Sequence, residues 1–137
     1  MALELTAGDA VIVPSVTFLA TANAPHLCGA EVEFADVGAD NGLMNAETLA
    51  QARARVSARG LRLRAVFPVH LNGQCVDMRA IAEQTSDAKD LLIVEDACHA
   101  LGGLDLDGNR SRFLLLCPSG IADCPTGLEG SLETSEA

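Results

Sequence analysis

An α/β fold, a mostly parallel sheet with covering helices, is predicted by three features of the amino-acid sequence. Apolar or alternating runs over residues 10–14, 31–37, 63–70 and 91–96 have the length of strands. The stretches between them place apolar side chains on single stripes bounded by capping residues and glycines, as amphipathic helices do. Polar clusters recur directly after three of those runs, and in open α/β sheets ligands gather at the carboxyl ends of the strands.

Ala10-Val11-Ile12-Val13-Pro14 is continuously apolar after a Gly8-Asp9 turn, as a strand buried on both faces is. A helix over 17–27 follows, opened by Ser15 or Thr17 and stopped at Gly29. Pro25 falls near its end, where loss of the bond to Thr21 kinks or ends the helix. The alternation over 31–37 predicts a second strand with Val32, Phe34 and Val37 inward. Asp40-Asn41-Gly42 is a turn. Asn45 is the expected N-cap of a helix over 46–59 ended by Gly60, with Leu49, Ala52 and Val56 on one face and arginines on the other. Residues 63–70 form the third strand. Asp77 caps a third helix with Met78, Ile81, Ala82 and Thr85 on one stripe. Leu91-Leu92-Ile93-Val94 opens a buried fourth strand that runs to Asp96.

After Gly102-Gly103 the character changes. Leu104 to Asn109 reads as a short arm or turn, and residues 118–137 are rich in Pro, Gly, Ser, Thr and Glu without period, as a poorly ordered tail is. The chain therefore divides into an organised part, 1–103, and a divergent C-terminal part, 104–137.

The 19 acidic residues exceed the 9 basic ones and give a net charge of −10, which argues against nucleic acid and anionic membrane surfaces as partners. No apolar run approaches the roughly 20 residues of a membrane span. The opening Met1-Ala2-Leu3-Glu4 has no basic and apolar leader pattern. Five scattered cysteines without a Cys-x-x-Cys pair make a disulfide framework or zinc ribbon a poor reading. A reducing cytoplasm is the expected location.

The polar clusters are Pro14-Ser15-Val16-Thr17-Phe18, His70-Leu71-Asn72-Gly73-Gln74 and Glu95-Asp96-Ala97-Cys98-His99. Taken singly, each has a plain structural explanation. Ser15 and Thr17 serve as helix caps, His70 as a satisfied core histidine, Phe18 as core and Cys98 as a small buried apolar residue. Asp96, Cys98 and His99 match no standard zinc spacing, so no metal is expected. Three clusters on one edge make a pocket.

The residues also carry a resemblance. Gly8 to Ala24 resembles the segment GDEVIVPSxTFxATANA, Pro68 to Gln74 resembles PVHLxGQ, and Glu95 to Gly102 resembles EDAAHAxG, in the same order and at matching spacing. These are marks of the sugar-nucleotide aminotransferases (the DegT/DnrJ/StrS family), which have the type I fold of pyridoxal phosphate enzymes. The resemblance covers about residues 3–103 and identifies that part as a partial large domain. The ending Cys98-His99-Ala100-Leu101-Gly102-Gly103 is most similar to the branch that aminates a UDP-linked 4-keto-6-deoxy sugar for pseudaminic acid synthesis, the altrosamine transaminases.

The resemblance implies a pyridoxal 5′-phosphate cofactor held by Asp96 at the pyridine nitrogen, His99 near the phenolic oxygen and Phe18 on the ring face. Thr17, His70 and Gln74 become candidates for the substrate pocket. It further implies glutamate as amino donor, a nucleotide-sugar substrate and a homodimer. The family's phosphate loop belongs before Leu3, and its SFHxxK segment, with the Schiff-base lysine, belongs after Gly103. Residues 109–137 show nothing like the latter and read as unrelated sequence, as a frameshift or split gene produces. The one lysine, Lys89, precedes its strand, and a strand of about five residues separates its ends by roughly 17 Å. The expectation is an inactive fragment. Two rival readings are a non-catalytic sugar- or cofactor-binding module and an unrelated flavodoxin-like domain.

Overall fold

The computed structural model describes residues 3–88 and 90–100. The expectations for Lys89 and for the tail over 104–137 fall outside the described residues. The elements in order are β1 (Asp9–Pro14), α1 (Leu19–Leu27), β2 (Glu31–Ala35), α2 (Ala46–Ala58), β3 (Arg62–Val66), α3 (Met78–Thr85) and β4 (Leu92–Ile93).

The four strands form one sheet in the order β2-β1-β3-β4, and every pairing is parallel. The chain steps from β1 to β2 on one side, then crosses over β1 to place β3 on the other. Right-handed crossovers in opposite directions put their helices on opposite faces. The core divides accordingly. Leu49, Ala52 and Val56 of α2 and Ile81 of α3 pack with Ala10, Ile12, Ala35 and Val66. Ala22 of α1 packs with Val11, Val13, Ala65 and Phe67 on the other face. Strand β1, covered on both sides, is buried at all six positions.

Local chemistry sets the boundaries. The Asn45 side chain accepts the Thr48 N–H while the Thr48 hydroxyl accepts the Asn45 N–H, a reciprocal cap at the start of α2. At its end Gly60 has φ +66°, and the N–H groups of Gly60 and Leu61 reach back to the carbonyls of Ser57 and Val56. Gly29 ends α1 in the same way, its N–H bonding the His26 carbonyl and that of Ala30 the Pro25 carbonyl. The helix passes through Pro25 and stops two residues later, where the missing N–H costs a single bond.

Several expectations are corrected. Helix α1 starts at Leu19, after a bend over 15–17, with Phe18 at the N-cap and no side-chain cap bond; neither Ser15 nor Thr17 caps it. Phe34 is not inward but 49% exposed, on a strand that lies at the edge of the sheet among the described residues. The α2 side of β2 carries Glu31 and Glu33, and Arg55 and Arg59 of α2 reach across to them. Those arginines therefore tie helix to sheet instead of only facing water. Ala82 is exposed, while its stripe neighbours Ile81 and Thr85 are buried.

Regular pairing in β3 ends at Val66, short of residue 70, because Pro68 has no N–H to continue the ladder. Strand β4 is only Leu92–Ile93, and both residues are exposed; among the described residues it pairs with β3 alone. Beyond these short strands the backbone still pairs: Val69 bridges Asp96 in parallel. A register shift opposite Ala10 and Val11 leaves Arg64 as a bulge residue, with its Nε buried and unpartnered among the described residues.

At the amino edge of the sheet, Asp9 is fully buried. Arg62 Nε donates to Asp9 Oδ1 at 2.6 Å, and the N–H and hydroxyl of Thr6 donate to Oδ2. The Arg62 hydrogen bond, helped by the Thr6 donors, holds the Asp9 carboxyl down at about 2 against the opposing pull of burial.

Candidate functional site

All three polar clusters follow strands that run the same way, so they meet at the carboxyl edge. The register places Ile12, Val66 and Ile93 in one row across β1, β3 and β4. The order β2-β1-β3-β4 makes the gap between β1 and β3 the point where the chain reverses its direction of travel across the sheet, the position where such sheets bind ligands. Phe18 follows β1, His70 and Gln74 follow β3, and Asp96 and His99 follow β4.

The segments after β3 and β4 are stitched together. Val94 N–H donates to the Val66 carbonyl, Asp96 N–H to the Pro68 carbonyl and His70 N–H to the Asp96 carbonyl, each at 2.9 Å. Asp96 is thus fixed through both its backbone groups, and it is buried. Its Oδ1 accepts the Cys98 N–H at 3.1 Å, which curls the chain and presents His99, an exposed residue.

His70 is 1% exposed. Its Nδ1 accepts the Val76 N–H at 3.0 Å, so Nε2 carries the proton and donates it to Glu95 Oε1 at 2.7 Å. Both ring nitrogens are used, and none is left for a ligand. His70, expected as a substrate-pocket candidate, stands beneath the edge with both ring nitrogens bonded within the protein.

Thr17 is half-buried, and its hydroxyl donates to the Thr21 hydroxyl at 3.1 Å. Gln74 is exposed and its Nε2 donates to the Asn41 carbonyl at 3.3 Å, which ties the β3 loop to the turn before α2. Phe18 stands 58% exposed at the start of α1. Phe18, Asp96 and His99 follow strands that end at the same sheet edge, and an apolar ring, a buried carboxylate and an imidazole are side chains suited to a planar heteroaromatic cation. The ring-recognition groups of the expected cofactor fit this edge.

Two features escaped the sequence reading. One is the task of Glu95, which the third cluster contains without a role of its own. Successive side chains of an extended segment point to opposite sides, so Glu95 and Asp96 could not share one task. The other is the tight turn Leu71–Gln74, with Asn72 at φ +53°, Gly73 at φ +79° and a Gln74 N–H to Leu71 carbonyl bond of 2.9 Å. Asn-Gly is the usual mark of such a turn. A Cβ on Gly73 would stand 4.0 Å from the His99 carbonyl, so the turn abuts the β4 loop.

Residues 1–111 match the family model of the DegT/DnrJ/EryC1/StrS aminotransferases. The chain belongs to that family. It is 38% identical over 140 residues to GDP-perosamine synthase of Caulobacter vibrioides, an alignment that takes in 99% of this chain and 36% of the relative. The chain thus spans about a third of the length of that curated relative. Among solved structures it is similar to a DegT/DnrJ/EryC1/StrS aminotransferase from Brucella abortus, at TM-score 0.67 and 37% identity, covering 74% of this chain and 27% of that one. It is also similar to NtdA of Bacillus subtilis with bound cofactor PMP, at TM-score 0.64 and 31% identity, covering 77% of this chain and 22% of that one. The family match runs to residue 111, past the point where the three motifs end, and membership removes the unrelated flavodoxin-like reading. Among the described residues no helix is long and apolar enough to cross a membrane.

Proposed function

We propose that residues 1–103 are the ring-binding part of the large domain of a pyridoxal phosphate-dependent aminotransferase that aminates a nucleotide-linked keto sugar. One observation carries this reading: Asp96 is buried and its backbone is bonded on both sides at the carboxyl edge of a parallel sheet. Bound there, pyridoxal phosphate supplies an electron sink for the carbanion of the substrate. In this reading the Asp96 carboxylate holds the proton on the pyridine nitrogen, His99 orients the ring from its edge, and Phe18 covers one face and keeps water from it. Thr17 and Gln74 line the approach for the sugar.

The Cys98-His99-Ala100-Leu101-Gly102-Gly103 ending favours a UDP-linked 4-keto-6-deoxy sugar, the pseudaminic acid branch, whereas the Caulobacter relative carries a GDP sugar in its name. Glutamate as donor and a homodimeric assembly complete the proposal, as does the cytoplasm as its location. This chain holds one lysine, Lys89, which precedes β4 in sequence. Acting alone, the 137-residue chain therefore binds the cofactor non-covalently and does not turn over.

The test is equilibrium binding of pyridoxal 5′-phosphate to the purified chain, followed by UDP- and GDP-linked keto sugars added to the loaded protein. Saturable cofactor binding with a preference for the UDP sugar is the expected result. A preference for the GDP sugar moves the substrate assignment, and no saturable cofactor binding refutes the reading.

A further inference from the structure

Beneath the carboxyl edge lies a buried polar couple that the proposed chemistry does not use directly. His70, 1% exposed, accepts the Val76 N–H at Nδ1 and donates from Nε2 to Glu95, whose side chain is 14% exposed. The Nδ1 bond fixes the tautomer, since an acceptor at Nδ1 leaves the proton on Nε2. The imidazole is thereby a rigid donor aimed at Glu95, and Val76 N–H in turn anchors it to the segment before α3.

Glu95 adjoins Asp96, and His70 also bonds the Asp96 carbonyl through its own backbone N–H at 2.9 Å. One residue therefore grips both members of the acidic pair, Glu95 by its side chain and Asp96 by its main chain. Asp96 N–H completes the clamp on the Pro68 carbonyl at 2.9 Å. With Glu95 held to the imidazole, turning of the Glu95–Asp96 peptide plane about its flanking single bonds is restrained, and with it the direction of the next side chain, Asp96. Strand β4 is only two residues long and exposed, so it cannot enforce that direction alone.

We infer that His70 and Glu95 are positioning residues, a couple that aims the Asp96 carboxylate at the ring nitrogen of the cofactor. The inference rests on the proposed pyridoxal phosphate site. At metal sites, outer partners that orient the ligating side chains matter by one or two orders of magnitude in affinity, and the same logic of orientation applies to a carboxylate aimed at a ring nitrogen. Such a couple works through geometry, so an uncharged acceptor at position 95 should retain most of the effect.

The experiment uses the full 137-residue chain with pyridoxal 5′-phosphate labelled with nitrogen-15 in its ring, at saturation. The buffer is alkaline enough that the free cofactor has largely lost its ring proton. Wild-type protein should show the shift of a protonated ring nitrogen. Glu95→Ala should move that shift toward the free cofactor and weaken binding by roughly tenfold, while Glu95→Gln, which still accepts from Nε2, should stay near wild type in both. Circular dichroism and a melting curve accompany each variant. A couple that only braces the fold would lower the melting temperature of Glu95→Ala yet leave the ring-nitrogen shift of the saturated protein unchanged, and that result overturns the inference while the proposed site stands. A wild-type chain that fails to bind, or whose bound ring nitrogen resembles free cofactor, overturns the proposed site and this inference with it.

Discussion

His70 donates its backbone N–H to the carbonyl of Asp96 at 2.9 Å, and through that bond the loop after β3 sets the height of the acid after β4. The carboxyl edge is thus one cooperative unit built from two loops. The Asn72-Gly73 turn belongs to it, with Gly73 at φ +79° next to the His99 carbonyl.

Gly73→Ala places a Cβ in the left-handed region, at a cost of about 1–2 kcal/mol. Denaturant unfolding should register that loss. Because the turn abuts the His99 segment, the variant should also weaken pyridoxal 5′-phosphate binding more than a surface change of equal thermodynamic cost, such as Asn45→Ala. Equal weakening by both would mean that the turn matters for stability alone.

Asn45→Ala removes the acceptor for the Thr48 N–H at the start of α2. A loss of roughly 1 kcal/mol is expected, read from the urea midpoint at unchanged slope. Asn45→Ser should recover most of it, since a hydroxyl caps nearly as well.

How much of this was legible beforehand follows from which interactions are local. The cap at Asn45, the stop at Gly60 and the buried stripe Leu49-Ala52-Val56 depend on neighbours within a few residues, and each stands where periodicity and capping chemistry put it. Phe34 and the length of β4 could not be read that way. Alternation announces a strand but not whether it lies at the edge, and Phe34, Leu92 and Ile93 stand exposed on the two strands that are outermost among the described residues. Convergence of the three polar clusters on one edge was legible because parallel strands share their carboxyl ends. The engagement of His70 with Glu95 spans 25 residues and depends on the β3–β4 register, which no local pattern encodes.

Asp9 supplies the pH dependence. Its carboxyl titrates at about 2 in the folded chain and near the ordinary value of about 3.9 when unfolded. Folding therefore favours the ionised form, so this contribution is fully present above pH about 4 and is lost as pH falls from there toward 2. Urea unfolding across that interval should show declining stability. Asp9→Asn should be less stable at neutral pH and decline less steeply, and a parallel decline would assign the acid sensitivity to other groups.

Lys89 provides a covalent test. Incubation of the chain with pyridoxal 5′-phosphate, borohydride reduction and peptide mass spectrometry should yield no stoichiometric pyridoxyl adduct on Lys89. A stoichiometric adduct there would show that this lysine reaches the cofactor and that the non-covalent reading is wrong.

In the proposed site it is Asp96 that recognises the ring of pyridoxal phosphate. Asp96→Asn keeps an oxygen for the Cys98 N–H, so the loop should hold its shape while the charge is lost. The most direct measurement is the dissociation constant of pyridoxal 5′-phosphate for the wild-type chain and for this variant, with circular dichroism confirming equal folding. A hydrogen bond to a charged group contributes about 1.5–3 kcal/mol, so wild type should bind saturably and Asp96→Asn at least roughly tenfold more weakly. Equal affinity of the two proteins would contradict that role of Asp96.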